Sequence, residues 1–198
     1  MQHKQKADRV AVELEQKLLR SQMNPHFIFN SLNTLSHLIE AKPVKAKQFN
    51  DNLADVYRYI LQNKAQDLVL LKEELIFLQN YFALLKIRFE KAVQMKVDVD
   101  EHKTDHYLIP PISLQILVEN AIKHNEFSDK MPLTIDIKLA NDELVICNPI
   151  RKKTLRKPSS RIGLQNLQER YRLITNKEIM VKEDEKEFTV ILPVLKID

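Results

Sequence analysis

The first half of the chain carries a helical pattern of hydrophobic positions. Apolar residues recur three or four positions apart in four successive stretches, and polar or charged residues fill the positions between them. This spacing places the apolar side chains on one face of a helix. We predict one helix from about Ala7, one from Pro25 to about Ala41, and two more at about 44–62 and 72–91.

The second half changes to short stretches in which apolar and polar residues alternate, a pattern typical of half-buried strands. Two adjacent prolines in this half suit the first turn of a helix. The predicted elements are, in chain order, a strand at 95–99, a helix from Pro110 and Pro111 to about Asn125, strands at 133–139 and 144–147, a loop at 148–160, a short helix after Gly163, and strands at 179–182 and 188–192.

Helices followed by strands that are mixed with two further helices predict an α+β fold. We expect a helical domain over 1–90 and an α/β domain with a largely antiparallel sheet over 91–198. The apolar stripe of the first predicted helix, formed by Val10, Leu14 and Leu18, has no partner within that helix. We therefore expect the chain to form a homodimer through its N-terminal helices.

Composition narrows the function. The chain has 198 residues and a single glycine, Gly163, which excludes the glycine-rich loops of dinucleotide and Walker-type phosphate sites. Its 1 cysteine and 6 histidines exclude a disulfide framework and a cysteine-based zinc site. The cysteine, Cys147, lies in an apolar stretch and is expected to be an inert packing residue. A net charge of +4 is too small to indicate a nucleic-acid partner.

A histidine lies in an unusual setting at the start of the second predicted helix. In the segment QMNPHFIFNSLN, Asn30 and Asn33 follow His26 at spacings that place all three on one helical face. The ordinary interpretation is a helix start, with Asn24 as the N-cap and Pro25 in the first turn. A polar face within a segment rich in Phe and Leu also favours a chemical role for His26.

A second polar face is predicted on the helix that follows the two prolines. Glu119, Asn120, Lys123 and His124 share it, whereas the leucines and valines of the same segment form the packing face. A carboxylate, an amide and a lysine can hold hydrated Mg²⁺ and phosphates, because Mg²⁺ keeps several waters and takes few protein ligands. A solvated helix face explains the same spacing equally well.

The third candidate segment begins after a basic loop, where Gly163 is predicted to open a helix. The free N–H groups of a helix N-terminus bind phosphate well, although a tight turn is the ordinary interpretation of a single glycine. The loop either closes over a triphosphate as a basic lid or is simply a solvated run of charge. Its basic residues are Arg151, Lys152, Lys153, Arg156, Lys157 and Arg161.

In this order, the three segments resemble the LytS-like family of bacterial sensor histidine kinases. The segment around His26 matches every fixed position of that family's phosphoacceptor motif, N-P-H-F-x-F-N. The segment LVENAIKHN resembles the N box of the kinase ATPase domain, and 71–89 resembles the family's linking helix. The segment from Arg161 resembles the second glycine box. Its matching positions are Gly163, Leu164, Asn166 and Arg170.

The resemblance implies an ATP-dependent protein histidine kinase with dimerisation and phosphotransfer helices and a Bergerat-type α/β sandwich. It implies that His26 attacks the γ-phosphate of ATP as a neutral imidazole, and that the phosphoryl group then passes to the receiver domain of a response regulator. Glu119 would be the general base or would orient a water, and Asn120 would be the Mg²⁺ ligand. Lys123 and His124 would neutralise phosphate charge.

The two glycine boxes depart from the family pattern. Asn148 stands where an aspartate binds the adenine amine, no glycine follows it, and Arg161 stands where a first glycine is expected. Two alternatives to the kinase therefore stay open: a pseudokinase scaffold that no longer turns over ATP, and an adaptor whose helices bind a partner. The implied nucleotide-binding residues are Asn120, Lys123, His124, Asn148, Arg161, Gly163, Leu164 and Asn166.

The expected cellular location follows from the hydrophobicity of the chain and from the family resemblance. No stretch approaches the roughly 18 consecutive apolar residues of a membrane helix, and the charged segment 1–20 is not a signal peptide. We expect a cytoplasmic region of an inner-membrane protein, in which only an upstream region outside this chain reaches the membrane.

Overall fold

The structure is a computed structural model, and it describes residues 25–63, 65–151 and 162–197. The first predicted helix, with its stripe of Val10, Leu14 and Leu18, and most of the basic loop lie outside the described residues. The chain divides into two compact units, one up to Asp51 and one from Asn52 onwards.

The first unit contains two helices within its described residues, which begin at Pro25. Helix α1 is Pro25–Ala41 and helix α2 is Pro43–Gln62, whose C-terminal part belongs to the second unit. Both predicted helices are confirmed. Each begins at a proline, which suits a first turn because proline has no N–H to leave unsatisfied. Apolar side chains of the described residues of this unit range from buried, at Leu38, Ala46 and Phe49, through half-buried, at Leu35, to largely exposed, at Phe29, Leu32, Ile39 and Val44.

The second unit contains a five-stranded mixed sheet and a small three-stranded sheet. The five strands are β2 (Val93–Asp98), β4 (Leu133–Ala140), β5 (Glu143–Pro149), β6 (Met180–Glu183) and β7 (Glu187–Pro193). The small sheet comprises β1 (Val69–Leu70), β3 (Tyr107–Ile109) and β8 (Leu195–Lys196), in the order β1-β3-β8. A 3₁₀ helix, Glu101–His106, precedes β3.

The larger sheet has the order β2-β4-β5-β7-β6. Only the β2–β4 pair is parallel, so the prediction of a largely antiparallel sheet is confirmed. A two-residue turn joins β4 to β5, and its residues Asn141 and Asp142 have positive φ values of 52° and 60°. Positive φ at both positions gives the turn the twist that a hairpin requires. Tyr107 donates a hydrogen bond from its hydroxyl to the Asp142 carboxylate.

The described part of the second unit also contains the α-helices α3 (Leu71–Phe89), α4 (Ser113–His124) and α5 (Ile162–Thr175). Helix α4 contacts α3, α5 and strand β4, and α3 also contacts β2. The inward side chains of β4 alternate with outward ones, and Leu133, Ile135 and Ile137 are fully buried. Each such side chain contributes about 1.5–3 kcal/mol. Helices packed on a mixed sheet confirm the α+β class and its α/β sandwich.

The prediction that a helix opens at Pro110 was wrong, because α4 begins three residues later at Ser113. The residue before it, Ile112, has a φ of 67°, in the left-handed region that β-branched residues rarely adopt. Its N–H donates to Oε2 of Glu74 at 2.9 Å, and the N–H of Leu114 donates to Oε1 at 3.0 Å. A carboxylate from α3 therefore caps α4, which the local sequence does not reveal.

Candidate functional site

The polar face predicted on α4 is present in the structure. Glu119 and Asn120 are half-buried in the middle of the helix, whereas Lys123 and His124 are exposed at its C-terminal end. The opposite face contains the buried packing residues Leu114, Leu117, Val118 and Ala121. The four polar residues therefore lie together on the side of α4 that does not pack into the core.

The N-terminus of α5 lies against this polar face. A Cβ atom placed on Gly163 would lie 3.9 Å from Oδ1 of Asn120 and 3.7 Å from the side chain of Ile116. Gly163 has no positive φ, so the tight-turn interpretation does not explain it. The first N–H groups of a helix have no partner within the helix, and they carry the positive end of its dipole. The structure thus brings an amide oxygen and a positive helix end together.

The other predicted residues of the second glycine box have different environments. Leu164 is half-buried and Asn166 is exposed, while Arg161 lies outside the described residues. Arg170, one turn further along α5, donates hydrogen bonds from its guanidinium to the carbonyl of Pro111 and, at 3.5 Å, to Oγ of Ser113. Arg170 therefore holds the start of α4, which is a structural task that its motif position does not suggest.

Asn148 lies near the end of β5, where it is buried and pairs with Phe188 of β7. Its side-chain nitrogen donates to the carbonyl of Pro149 at 2.8 Å. Strand β5 continues through Pro149, so the predicted loop begins two residues later than expected. The thiol of the preceding residue, Cys147, has a pKa raised by burial to about 11, in agreement with the expected inert role.

A buried amide that the sequence analysis missed connects β5 to α4. Asn125 directly follows α4, and its Nδ2 donates to the carbonyl of Ala121 at 2.9 Å. Its Oδ1 accepts the N–H of Arg151 at 2.6 Å, and the N–H of Glu126 donates to the carbonyl of Arg151 at 2.8 Å. These bonds hold the end of α4 beside the segment that follows Asn148.

Arg151 is anchored in the same way through its side chain. Its guanidinium donates to the carbonyls of Met131 and Pro132, both at 3.0 Å. The hypothesis of a basic lid counted Arg151 among the mobile charges, but its hydrogen bonds place it at the base of the loop. The remaining lid residues, 152–161, lie outside the described residues.

His26 is the second residue of α1 and belongs to the first unit. Within the same helix, Asn30 is half-buried and its carbonyl accepts a hydrogen bond from Oγ1 of Thr34 at 2.8 Å, while Asn33 is exposed. His37, the other histidine of this helix, is exposed. The phosphoacceptor motif is therefore helical from its proline onwards, as its spacing predicts.

The described residues contain neither a metal-binding cluster nor a membrane-spanning helix. Over 25–63, 65–151 and 162–197, no three His, Cys, Asp or Glu side chains lie close enough together to hold a metal ion. The donors near Gly163 are instead an amide oxygen and helix N–H groups, which suit Mg²⁺ bound together with phosphates. None of the helices in these ranges has the length and hydrophobicity needed to cross a bilayer.

Two kinds of comparison with known proteins agree on the family. The family model described as histidine kinase matches residues 14–93. A sensor-like histidine kinase of Staphylococcus epidermidis is 37% identical over 134 residues, which are 68% of this chain and 26% of that protein. The sensor protein kinase HptS of Staphylococcus aureus is 32% identical over 138 residues, which are 69% of this chain and 26% of HptS.

The chain thus spans about a quarter of the length of the curated relatives that it matches. Among solved structures, the Acinetobacter baumannii histidine kinase AdeS aligns with a TM-score of 0.43 and 11% identity, over 93% of this chain and 95% of that chain. The three segments first noted in the sequence occur within a chain whose family model and named relatives are histidine kinases. The chain belongs to the LytS-like family of sensor histidine kinases.

Proposed function

We propose that this chain is the catalytic region of a two-component sensor kinase, which transfers the γ-phosphoryl group of ATP to His26 and then to a response regulator. The observation that carries the proposal is the position of Gly163, whose missing Cβ would lie 3.9 Å from Oδ1 of Asn120. This contact joins the N box to the second glycine box. It pairs an amide oxygen suited to Mg²⁺ with a helix N-terminus suited to phosphate.

The phosphate end of the site is formed by α4 and α5. Asn120 contributes the oxygen ligand for Mg²⁺, and the half-buried carboxylate of Glu119 accepts a proton or orients a water. The exposed Lys123 and His124 supply positive charge for phosphate oxygens. Bound Mg²⁺ would neutralise charge on the β- and γ-phosphates. Phosphoryl transfer depends mainly on positioning and charge stabilisation, so this small set of side chains suffices.

The adenine end of the site is formed by the end of β5. The side-chain nitrogen of Asn148 is bonded to the carbonyl of Pro149, which leaves the oxygen as the group that accepts a hydrogen bond from the exocyclic amine of adenine. An amide does this without the charge assistance of an aspartate. The proposal therefore includes weak nucleotide binding, with part of the affinity supplied by basic residues of 152–161.

The remaining assignments concern the whole kinase. We assign dimerisation and phosphotransfer to residues 1–90 and nucleotide binding to 91–198, with the homodimer formed through N-terminal helices. The partner is the receiver domain of a response regulator. The chain acts in the cytoplasm and is attached to the membrane by an upstream region of the longer protein.

Labelling with ATP tests the proposal. The chain is incubated with γ-labelled ATP and Mg²⁺, and the label is tested for acid lability and base stability, the signature of phosphohistidine. We expect such label in the parent chain and in the His37→Ala control, and none in His26→Ala. Because His37 lies on the same helix, its loss controls for damage to α1. Label on a peptide that lacks His26 contradicts the assignment.

A specific observation favours a second candidate, the pseudokinase scaffold. Strand β5 remains paired with β7 through Pro149, which pairs with Glu187, where the resemblance leads us to expect the family's first glycine box. Calorimetric titration with a non-hydrolysable ATP analogue separates the two candidates. Binding together with acid-labile label supports the kinase. Absence of both in the parent chain supports the scaffold.

The contribution of the basic loop is tested in the same titration. Neutralising Lys152, Lys153 and Lys157 together should weaken binding of the analogue about tenfold, which corresponds to about 1.4 kcal/mol. The matched control neutralises Lys177, Lys182 and Lys186, which are exposed elsewhere in the second unit. Equal affinities of the two triple variants would show that the loop is only a solvated run of charge.

A further inference from the structure

A buried carboxylate occupies the junction of several helices in the second unit. Glu74 lies on α3 and its side chain is completely buried. Its Oε2 accepts hydrogen bonds from the hydroxyl of Tyr59 at 2.7 Å and from the N–H of Ile112 at 2.9 Å. Its Oε1 accepts the N–H of Leu114 at 3.0 Å. A charged side chain is rarely buried unless its oxygens are satisfied in this way.

Glu74 determines where α4 begins. The two backbone N–H groups that donate to it belong to the N-cap residue Ile112 and to Leu114 in the first turn, and the helix has no internal partners for them. A carboxylate is also favoured there by the helix dipole. Because both of its oxygens are used, the side chain restrains the start of α4 in position and in rotation about the helix axis. Asn120 lies six residues beyond Leu114, about 9 Å along the same helix.

The same junction includes α5. The guanidinium of Arg170 donates to the carbonyl of Pro111 and to Oγ of Ser113, directly beside the N–H groups that Glu74 accepts. Burial raises the pKa of the Glu74 carboxyl, and the positive charge of Arg170 acts in the opposite direction. The helix that carries Gly163 is therefore held at the same point as the helix that carries Asn120.

The junction also includes α2. The ring of Tyr59 stacks on Phe77 of α3, with ring centroids 4.2 Å apart and planes 14° apart. This packing directs the hydroxyl of Tyr59 towards Glu74. A displacement of the C-terminal part of α2 against α3 would therefore act on the carboxylate that caps α4.

We propose that Glu74 is a positioning residue for phosphoryl transfer, through which the packing of α2 and α3 sets the placement of Glu119 and Asn120 on α4. This inference rests on the proposed kinase function. Glu74 touches neither nucleotide nor histidine, and it acts through α4. Through this one side chain, the linking helix α3 is connected directly to α4 and its polar face.

The test compares Glu74→Gln and Tyr59→Phe with Glu73→Gln. The glutamine amide keeps the size of Glu74 but presents an N–H to one backbone donor, so the cap is lost on one side. Tyr59→Phe removes only the hydroxyl and leaves both backbone bonds in place. Glu73 is the adjacent exposed carboxylate, so its variant controls for the loss of charge on α3.

Rates are measured at a temperature at which all variants are folded by circular dichroism. We expect kcat for phosphorylation of His26 to fall about tenfold in Glu74→Gln and about threefold in Tyr59→Phe. We expect Glu73→Gln to match the parent, and KM for ATP in Tyr59→Phe to stay within about twofold of the parent value. A purely structural role lowers the melting temperature and leaves kcat at the parent value, which would overturn the inference.

A second measurement does not depend on activity. Hydrogen exchange of the peptides that cover 113–124 should be faster in Glu74→Gln than in Glu73→Gln, while peptides from β4 and β5 exchange as in the parent. Unchanged exchange over 113–124 would overturn the positioning role. A failure of the proposed kinase function would give a different result, because the parent chain would then carry no label on His26. The role of Glu74 in phosphoryl transfer would then also be contradicted.

Discussion

Strand β4 of the second unit and helix α1 of the first differ in how far their apolar side chains are buried. In the second unit, the inward residues of β4, Leu133, Ile135 and Ile137, are completely buried. In the first unit, Phe29 is 67% exposed and Leu32, one turn further along α1, is 51% exposed. The inward face of β4 is therefore part of a closed core, whereas Phe29 and Leu32 leave apolar surface of α1 exposed. Surfaces of this kind mark contacts with another chain, which supports the proposed homodimer.

The largest effect should come from truncating one isoleucine in each unit. Ile135→Ala removes a fully buried side chain from β4, and we expect it to lower the free energy of unfolding by about 2–5 kcal/mol. Ile39→Ala removes the same atoms from a position on α1 that is 58% exposed, where surface changes stay within about 0.5 kcal/mol. Urea unfolding followed by circular dichroism measures both. Equal losses would contradict the contrast between the units.

Charging the exposed face of α1 should weaken self-association. In the double variant Phe29→Asp and Leu32→Asp, two carboxylates would have to be desolvated in the dimer, so we expect at least about a tenfold rise in the dissociation constant, or about 1.4 kcal/mol. Sedimentation equilibrium measures the change. Leu173→Asp is the control, since Leu173 is an exposed leucine of the second unit on α5. A dimer as tight as that of the parent chain would contradict the interpretation.

A smaller effect tests the space beside Asn120. Gly163→Ala adds a methyl group at ordinary contact distance from Ile116 and Asn120, and alanine favours a helix over glycine. We expect the free energy of unfolding to rise by about 0.5–1 kcal/mol. We also expect affinity for the ATP analogue to fall, because the methyl group narrows the approach of phosphate to the N-terminus of α5. Calorimetry measures the affinity, and urea unfolding measures the free energy of unfolding. A rise in affinity would contradict the proposed phosphate position.

The smallest effect is a pH dependence in the turn between β6 and β7. The Asp184 carboxylate accepts the N–H groups of Lys186 at 2.7 Å and Glu187 at 2.8 Å, and these bonds lower its pKa below the usual 3.8. Because this pKa is lowered by folding, the contribution of the Asp184 carboxylate to stability is present above pH 3.8. That contribution is lost as the pH falls through the pKa of the folded state.

The measurement for this turn is urea unfolding of Asp184→Asn at pH 7 and at pH 2. The variant should be less stable than the parent chain at pH 7, and the difference should shrink at pH 2. Glu185→Gln, at the next and also exposed position, serves as the control and should show no such pH-dependent difference. A constant difference between Asp184→Asn and the parent would contradict the assignment of the shift to these two N–H groups.

The elements that the sequence predicts well are those with a local periodic signal. The helices α1, α2 and α3 and the strands β4 and β5 agree with the predicted stretches within a few residues. The strands β1, β3 and β8 have two or three residues each, which is too short for an alternating pattern to be recognised. They form only because distant segments pair with one another.

In the candidate site too, the sequence predicts local patterns but not contacts between distant segments. The polar face of α4 was predicted because its residues are neighbours at helical spacing. The roles of Glu74 and Asn125 were missed, because their partners lie 40 and 26 positions away in the sequence. Nothing local marks a glutamate in an amphipathic helix as the cap of another helix. The start of α4 was misplaced for the same reason, since its cap is not adjacent in the chain.

The parallel pairing of β2 with β4 has a consequence for the order in which the chain assembles. Strands β4 and β5 are separated by the two-residue turn at Asn141 and Asp142, and closing so short a loop costs little entropy. Val93 of β2 pairs with Leu133 of β4, so this contact must close a much longer loop that includes all of α4. We expect the β4–β5 hairpin to form early and β2 to join it only after α4 has docked. Pairing of β2 with β4 is then the slow step of folding.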